Sequence, residues 1–153
     1  MIVKLDHRDQ KIAELMLDVQ LPAYKVEAKL INFEGIPQLK DTVESIQASN
    51  ENFVGYLIEK NLVAFLSYTD SETEYQICRL VVHPTYFKQG IARRLVNDFL
   101  KNIVQNKKVI VSTGSDNAPA INLYLSSGFT FQKKVEVAPN VFISLFEATT
   151  LNH

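Results

Sequence analysis

The sequence predicts an α/β (α+β) chain, a mixed sheet of about seven strands with about four helices on its faces. Three observations carry this. Seven short segments are apolar or alternate apolar with polar residues, as strands do. Four others place apolar residues three and four positions apart, as helices do. The order, β-α-α-β-β-β-α-β-α-β-β, is not the regular βαβ alternation of a wholly parallel sheet.

Taken in order, MIVKLD sets Ile2 and Lys4 against Val3 and Leu5 and reads as a short strand. From Asp9, the residues Ile12, Leu15, Met16 and Val19 form one helical stripe, which Pro22 is expected to end or kink. Residues 23–36 carry Tyr24, Val26, Leu30 and Ile31 without a clear period, and Gly35-Ile36-Pro37 reads as a break. PQLKDTVESIQASN returns to helical spacing at Leu39, Val43 and Ile46. NFVGYLIEK and LVAFLSYTD read as a hairpin with its corner at Lys60-Asn61, and YQICRLVVHP as a third strand. GIARRLVNDFLKNIV is a helix with Ile91, Leu95, Val96, Phe99, Leu100 and Ile103 on one face. KKVIVSTGS is a short strand. NAPAINLYLSSG is a short helix, with Asn117 at its start and Gly128 just past its end. FTFQKKVEVA and NVFISLFEA close the chain as two strands turning at Pro139-Asn140.

Bulk properties narrow the class. A chain of 153 residues fits a single domain over 1–153. Its 46% hydrophobic and 22% charged content is that of an ordinary globular chain. A formal net charge of −1 argues against electrostatic wrapping of nucleic acid. The lone Cys78 rules out an intrachain disulfide and suits a reducing, cytoplasmic setting. MIVKLDHRDQ carries charge within its first turn, so no secretory leader is expected, and no apolar run suggests a membrane span. The three histidines, 7, 83 and 153, are scattered, and no metal site is expected.

The chemistry concentrates in HPTYFKQGIARR. A strand leads into a helix whose first N–H groups are unpaired and stand at the positive end of the helix dipole. Such an end seats phosphate, and Gly90 lets a ligand approach the backbone with no Cβ in the way. Lys88, Arg93 and Arg94 add positive charge near the same point. The reading is an anion site for a diphosphate, although an ordinary strand-to-helix turn would also use a glycine here. Neither GxGxxG nor GxxxxGK[ST] is present.

A second stretch, SDNAPAINLYLSSGF, completes a pattern. Val82-His83-Pro84, then Gln89-Gly90-Ile91-Ala92, then Asn117, Ala120, Leu123-Tyr124 and Gly128-Phe129 together resemble the GNAT superfamily of N-acetyltransferases. The resemblance implies a GNAT-like, mostly antiparallel sheet. It also implies acetyl-CoA as co-substrate, its pyrophosphate on the backbone of Lys88, Gln89, Gly90, Ile91, Ala92 and Arg93. The pantetheine would lie along Leu80, Val81 and Val82, where that strand would splay from its neighbour, and beside Asn117, Ala120 and Tyr124. Phe87 and Lys88 depart from the family's usual loop, so a side-chain contact to the diphosphate is either absent or supplied by Lys88.

The implied reaction moves an acetyl group from acetyl-CoA to a primary amine by direct attack in a ternary complex. The acceptor, a small amine or a protein amine, is not specified by the sequence. The alternative is a non-catalytic acyl-CoA sensor or scaffold of the same fold. Tyr124 is the candidate general acid, and an ordinary core tyrosine is the plainer reading. Asn117 suits a helix N-cap as well as a pantetheine contact. The strand before the loop holds no carboxylate to act as base; Glu74 lies at its edge, with Asp70 and Glu72 in the preceding turn. His83 and Cys78 are not assigned to the chemistry. The acceptor site would be lined by residues of about 20–37 and by the final hairpin. Tyr24, Glu27, Phe33 and Glu34 lie in that stretch, and Glu27 is the carboxylate expected to meet an ammonium. A homodimer through a sheet edge is left open.

Overall fold

The computed structural model describes residues Met1 to Thr149, so His153 lies outside the described residues. The strands are β1 (Ile2–Lys4), β2 (Asn52–Ile58), β3 (Asn61–Asp70), β4 (Glu74–Val82), β5 (Lys108–Gly114), β6 (Thr130–Ala138) and β7 (Val141–Thr149). The helices are α1 (Gln10–Leu30), α2 (Val43–Gln47), α3 (Ile91–Asp98) and α4 (Ala118–Ser126). Short 3₁₀ turns span Pro37–Lys40 and Pro84–Tyr86, and a π turn over Phe99–Ile103 extends α3.

All seven strands join one sheet in the order β1-β2-β3-β4-β5-β7-β6. Every neighbouring pair is antiparallel except β4 and β5. A hydrophobic core lies on each face. One packs α3 and α4 on the sheet through Leu95, Phe99, Val109, Tyr124 and Phe146. The other packs α1 and α2 through Met16, Ile46, Phe53 and Phe65. Each fully buried side chain of this size contributes roughly 1.5–3 kcal/mol relative to exposure.

Several local expectations are corrected. Pro22 does not end α1, which continues through it to Leu30. The lost hydrogen bond is offset because the turns on both sides are anchored, Val19 and Gln20 before it and Ala23, Tyr24 and Ala28 after it being buried. Leu15 faces outward at 48% exposure, so the apolar stripe runs through Ala13, Met16 and Val19. The hairpin corner is Glu59-Lys60, both with positive φ (51° and 68°), one residue earlier than the composition suggested. The helical pattern at 37–50 resolves into the 3₁₀ turn and α2, whose start carries a Thr42–Ser45 capping box.

Two irregularities of β4 shape everything that follows. A bulge opposite Ser67 and Tyr68 leaves Cys78 without a facing residue on β3. Side chains therefore change face there: Tyr75 and Ile77 enter the α3/α4 core, whereas Val81 enters the α1/α2 core. The parallel ladder to β5 then stops after Glu74↔Lys108, Tyr75↔Val109 and Gln76↔Ile110. Beyond it, β4 stays with β3 to Val82 and β5 stays with β7 to Gly114, so the two strands part.

Candidate active site

The wedge between β4 and β5 is occupied by a cavity of about 770 Å³, within the ~300–1,000 Å³ of small-molecule sites. Leu80, Val81 and Val82 form one wall. Thr113 and Gly114 of β5 and Asn117, Ala120 and Tyr124 of α4 form the other. Tyr24 and Glu27, one helical turn apart on α1, close it from the opposite face of the sheet. Ile31, just past the end of α1, packs closely on Gly114, where a Cβ would lie 2.8 Å from its Cγ2.

At its other end the cavity reaches the start of α3, where Lys88 and Ala92 line it. Gly90 is the N-cap residue at φ 76°, has no side chain to cap the first turn, and a Cβ built on it meets nothing within 4 Å. The first-turn N–H groups are thus left without a side-chain cap at the positive end of the dipole. Ile91 is buried and anchors the helix start, so only its backbone can serve a ligand. Gln89, Gly90 and Arg93 are exposed around this point without lining the cavity. The two arginines are turned elsewhere: Arg93 Nη1 donates to Ser126 Oγ (2.7 Å) and Arg94 Nη1 to Tyr56 Oη (2.9 Å). Lys88 is thus the cation at the cavity's α3 end.

Asn117 does two jobs. Its Oδ1 accepts from the Ala120 N–H (3.2 Å) as the N-cap of α4. Its Nδ2 donates to Glu27 Oε1 (3.1 Å) and Thr113 Oγ1 (3.3 Å), which ties α4 to α1 across the cavity. Burial raises the Glu27 carboxyl above its ordinary value, and the Asn117 hydrogen bond opposes the shift. Tyr124 is buried with its ring edge-on to Phe129 (5.5 Å) and tilted against Phe146 (6.0 Å). Burial, then the charge of Glu27, pushes its phenol well above the ordinary value, and the same two causes act in the same order on Tyr24. Both phenols stay protonated at neutral pH.

A polar cluster behind this wall was not anticipated. Arg79, 8% exposed, uses Nε and Nη2 on Glu51 (3.1 and 3.2 Å) and Nη1 on both Asp41 and Gln20 (2.8 Å each). Gln20 also donates to Gln38 O (3.0 Å) and Asp41 Oδ2 (2.7 Å), and Ser67 Oγ to Glu51 Oε1 (2.5 Å). The cluster fixes β4 just after its bulge and ties down the 37–41 segment at the cavity rim. Its partners lie 28 to 59 residues from Arg79 in the chain, so no local pattern announces it. The one sequence signal is an arginine inside the apolar run of β4.

Other candidates lie apart. Asp70 pairs with Lys107, and Glu74 with Lys108 (3.6 Å), at the closed end of the β4–β5 pair. Neither they nor Glu72 line the cavity, and Glu34 is exposed outside it while Phe33 lines it. His7 and His83 are engaged with Ser49 O (2.7 Å) and the Thr85 N–H (3.1 Å). Cys78 lines the cavity at the bulge, and burial raises its thiol. Among the described residues no group of three or more His, Cys, Asp or Glu is placed to hold a metal ion.

Residues 21–129 match the model of the acetyltransferase (GNAT) family. The chain belongs to the GNAT family. The curated protein YqkA of Bacillus subtilis (strain 168), named as a UPF0157 protein, is 40% identical over 146 residues, 95% of this chain. The chain spans 43% of that protein's length. The GNAT architecture recurs in solved structures at low identity. The ribosomal-protein-S18-alanine N-acetyltransferase of Escherichia coli aligns with TM-score 0.75 and 16% identity over 100% of this chain and 95% of its own. PaiA N-acetyltransferase of Thermoplasma acidophilum, solved with coenzyme A, gives 0.74 and 15% over 98% of each chain. YncA of Salmonella typhimurium, solved with its cofactor acetyl-CoA, gives 0.68 and 13% over 100% of this chain and 95% of its own. These likenesses show the fold; membership of the GNAT family supports acetyl transfer as the class of reaction.

Proposed function

We propose that this chain is an N-acetyltransferase that moves an acetyl group from acetyl-CoA to a primary amine by direct attack in a ternary complex. The observation that carries this reading is the single cavity that joins the uncapped start of α3, the parted edge of β4 and the phenol of Tyr124. Residues 88–93 would hold the diphosphate through backbone N–H groups, with Lys88 beside them. The polar edge of Leu80–Val82 has lost β5 as its neighbour and would pair with the pantetheine amides. Acetyl-CoA supplies an acetyl group activated as a thioester.

The chain's own contribution is position and charge. Holding amine and thioester together removes most of the entropic barrier. Tyr124 donates a hydrogen bond to the departing sulfur. Because its phenol is raised, complete proton transfer to a thiolate is more uphill than for a tyrosine in water, so the hydrogen bond itself is the larger effect. The non-catalytic alternative draws on the lack of a carboxylate where β4 lines the cavity, Glu74 lying outside it; Glu27 on α1 offers one from another element. Thiol release from acetyl-CoA with an amine panel tests the proposal: amine-dependent release supports it, and CoA binding without release with any amine supports the scaffold instead.

A further inference from the structure

The acceptor side of the cavity is unusual in its chemistry. Glu27 is the single carboxylate among the described residues that line it. The other charged side chains of the lining are accounted for. Arg79 is neutralised by Asp41 and Glu51, and Lys88 stands at the α3 end. Beyond the polar groups that face Glu27, the lining on this side is apolar: Val26, Leu30 and Phe33 from α1 and its following loop, and Val137 and Phe142 from the last hairpin. Three of these are strongly exposed for residues of their size, Val26 at 41%, Leu30 at 46% and Val137 at 51%. They form an apolar rim at the cavity, which a ligand would cover. The Lys134 ammonium stands over the Phe142 ring at 4.9 Å, and Glu136 faces Phe142 across the hairpin, so the two charges at that edge offset each other outside the lining.

We infer that the acceptor is a primary amine carrying an alkyl or aryl group, held with its nitrogen at Glu27 and its apolar part along Leu30, Phe33 and Phe142. This rests on the transferase reading above and narrows its substrate. One carboxylate matches one ammonium. A polyamine would leave its further charges against the apolar wall, and a peptide would leave its amides facing it.

The proton count follows. The bound ammonium gives one proton to a Glu27 carboxylate oxygen. The free amine then forms the N–C bond to the acetyl carbon as the C–S bond breaks. The nitrogen's second proton passes to the thiolate, and Glu27 returns its own to solvent. The groups facing Glu27 are Asn117, which orients it, and the protonated phenols of Tyr24 and Tyr124. The raised carboxyl makes Glu27 a stronger base than a glutamate in water.

The test is thiol release at saturating acetyl-CoA with ethylamine, butylamine, hexylamine, 2-phenylethylamine, spermidine and a lysine-containing peptide. kcat/KM should rise about fourfold per added methylene, the equivalent of the ~0.8 kcal/mol of a buried CH₂. Hexylamine and 2-phenylethylamine should exceed spermidine and the peptide at least tenfold. Leu30→Glu, a change at a half-exposed position, should raise KM for hexylamine and lower it for spermidine. Preference for spermidine or the peptide, or no dependence on chain length, would overturn the acceptor assignment and leave acetyl transfer standing. No release with any amine, while CoA still binds by calorimetry, would overturn the transferase reading and this inference with it.

Discussion

Glu27 has two opposed properties, and both can be measured. Its carboxyl is raised by burial, so the folded chain holds that proton more tightly than the unfolded chain. The associated stability is complete below the ordinary glutamate value of 4.5 and is lost as pH rises through the higher folded value. Glu27→Gln should therefore raise Tm at pH 7, and the gain should vanish near pH 4 in thermal melts. The same substitution removes the proposed proton acceptor, so kcat/KM should fall by about 100-fold and the acidic limb of its pH profile should disappear. A substitution that stabilises the fold and disables turnover is the signature of a site residue. Tyr124→Phe should slow transfer by roughly 10-fold or more, the cost of one lost donor to developing charge, with CoA affinity within about twofold of wild type.

At the scale of the element, β4 carries the argument. Its bulge and its early departure from β5 create the cavity, and Arg79 holds the strand in that shape. Arg79→Met would leave Asp41 and Glu51, only 15% and 16% exposed, without their partner. The expected loss is about 3 kcal/mol in denaturant unfolding, because uncompensated buried charge costs more than the pair contributes. Double replacement with Asp41→Asn should recover part of it. Much of the element plan was legible: β2 to β7 and α4 fall within a residue or two of where periodicity and turn residues placed them, and so does α3 when its π turn is counted, α3 itself ending at Asp98. What was not legible is non-local. Pro22 reads as a helix end because its cost is local, whereas the burial of Tyr24 and Ala28 that overrides it is tertiary. The bulge at Cys78 has no glycine or proline to mark it, and the partners of Arg79 are distant in the chain. The pairing of Glu27 with Asn117 joins residues 90 positions apart, though each was separately a candidate.

For the whole molecule, two layers of helices flank one sheet. If the chain is the proposed transferase, α3 and α4 would present the cofactor side, α1 and the last hairpin the acceptor side, and the parted strands would let the two reactants meet. Among the described residues no helix is long and apolar enough to cross a membrane. A ligand that fills the cavity and binds only the folded chain must stabilise all of it. CoA at 100 times its Kd should add ~2.7 kcal/mol, read as a concentration-dependent rise in Tm.

The most direct measurement is calorimetric titration of CoA into the wild-type chain and into Gly90→Asp, with Tm recorded for both. A side chain at Gly90 projects into open space at the start of α3, so the fold has room for it apart from about 1 kcal/mol of left-handed strain. The carboxylate would stand where the proposed diphosphate would be seated. Saturable one-to-one binding by wild type, weakened at least tenfold in a folded variant, is the predicted result. Equal affinity in the two proteins, or no binding by wild type, would contradict it.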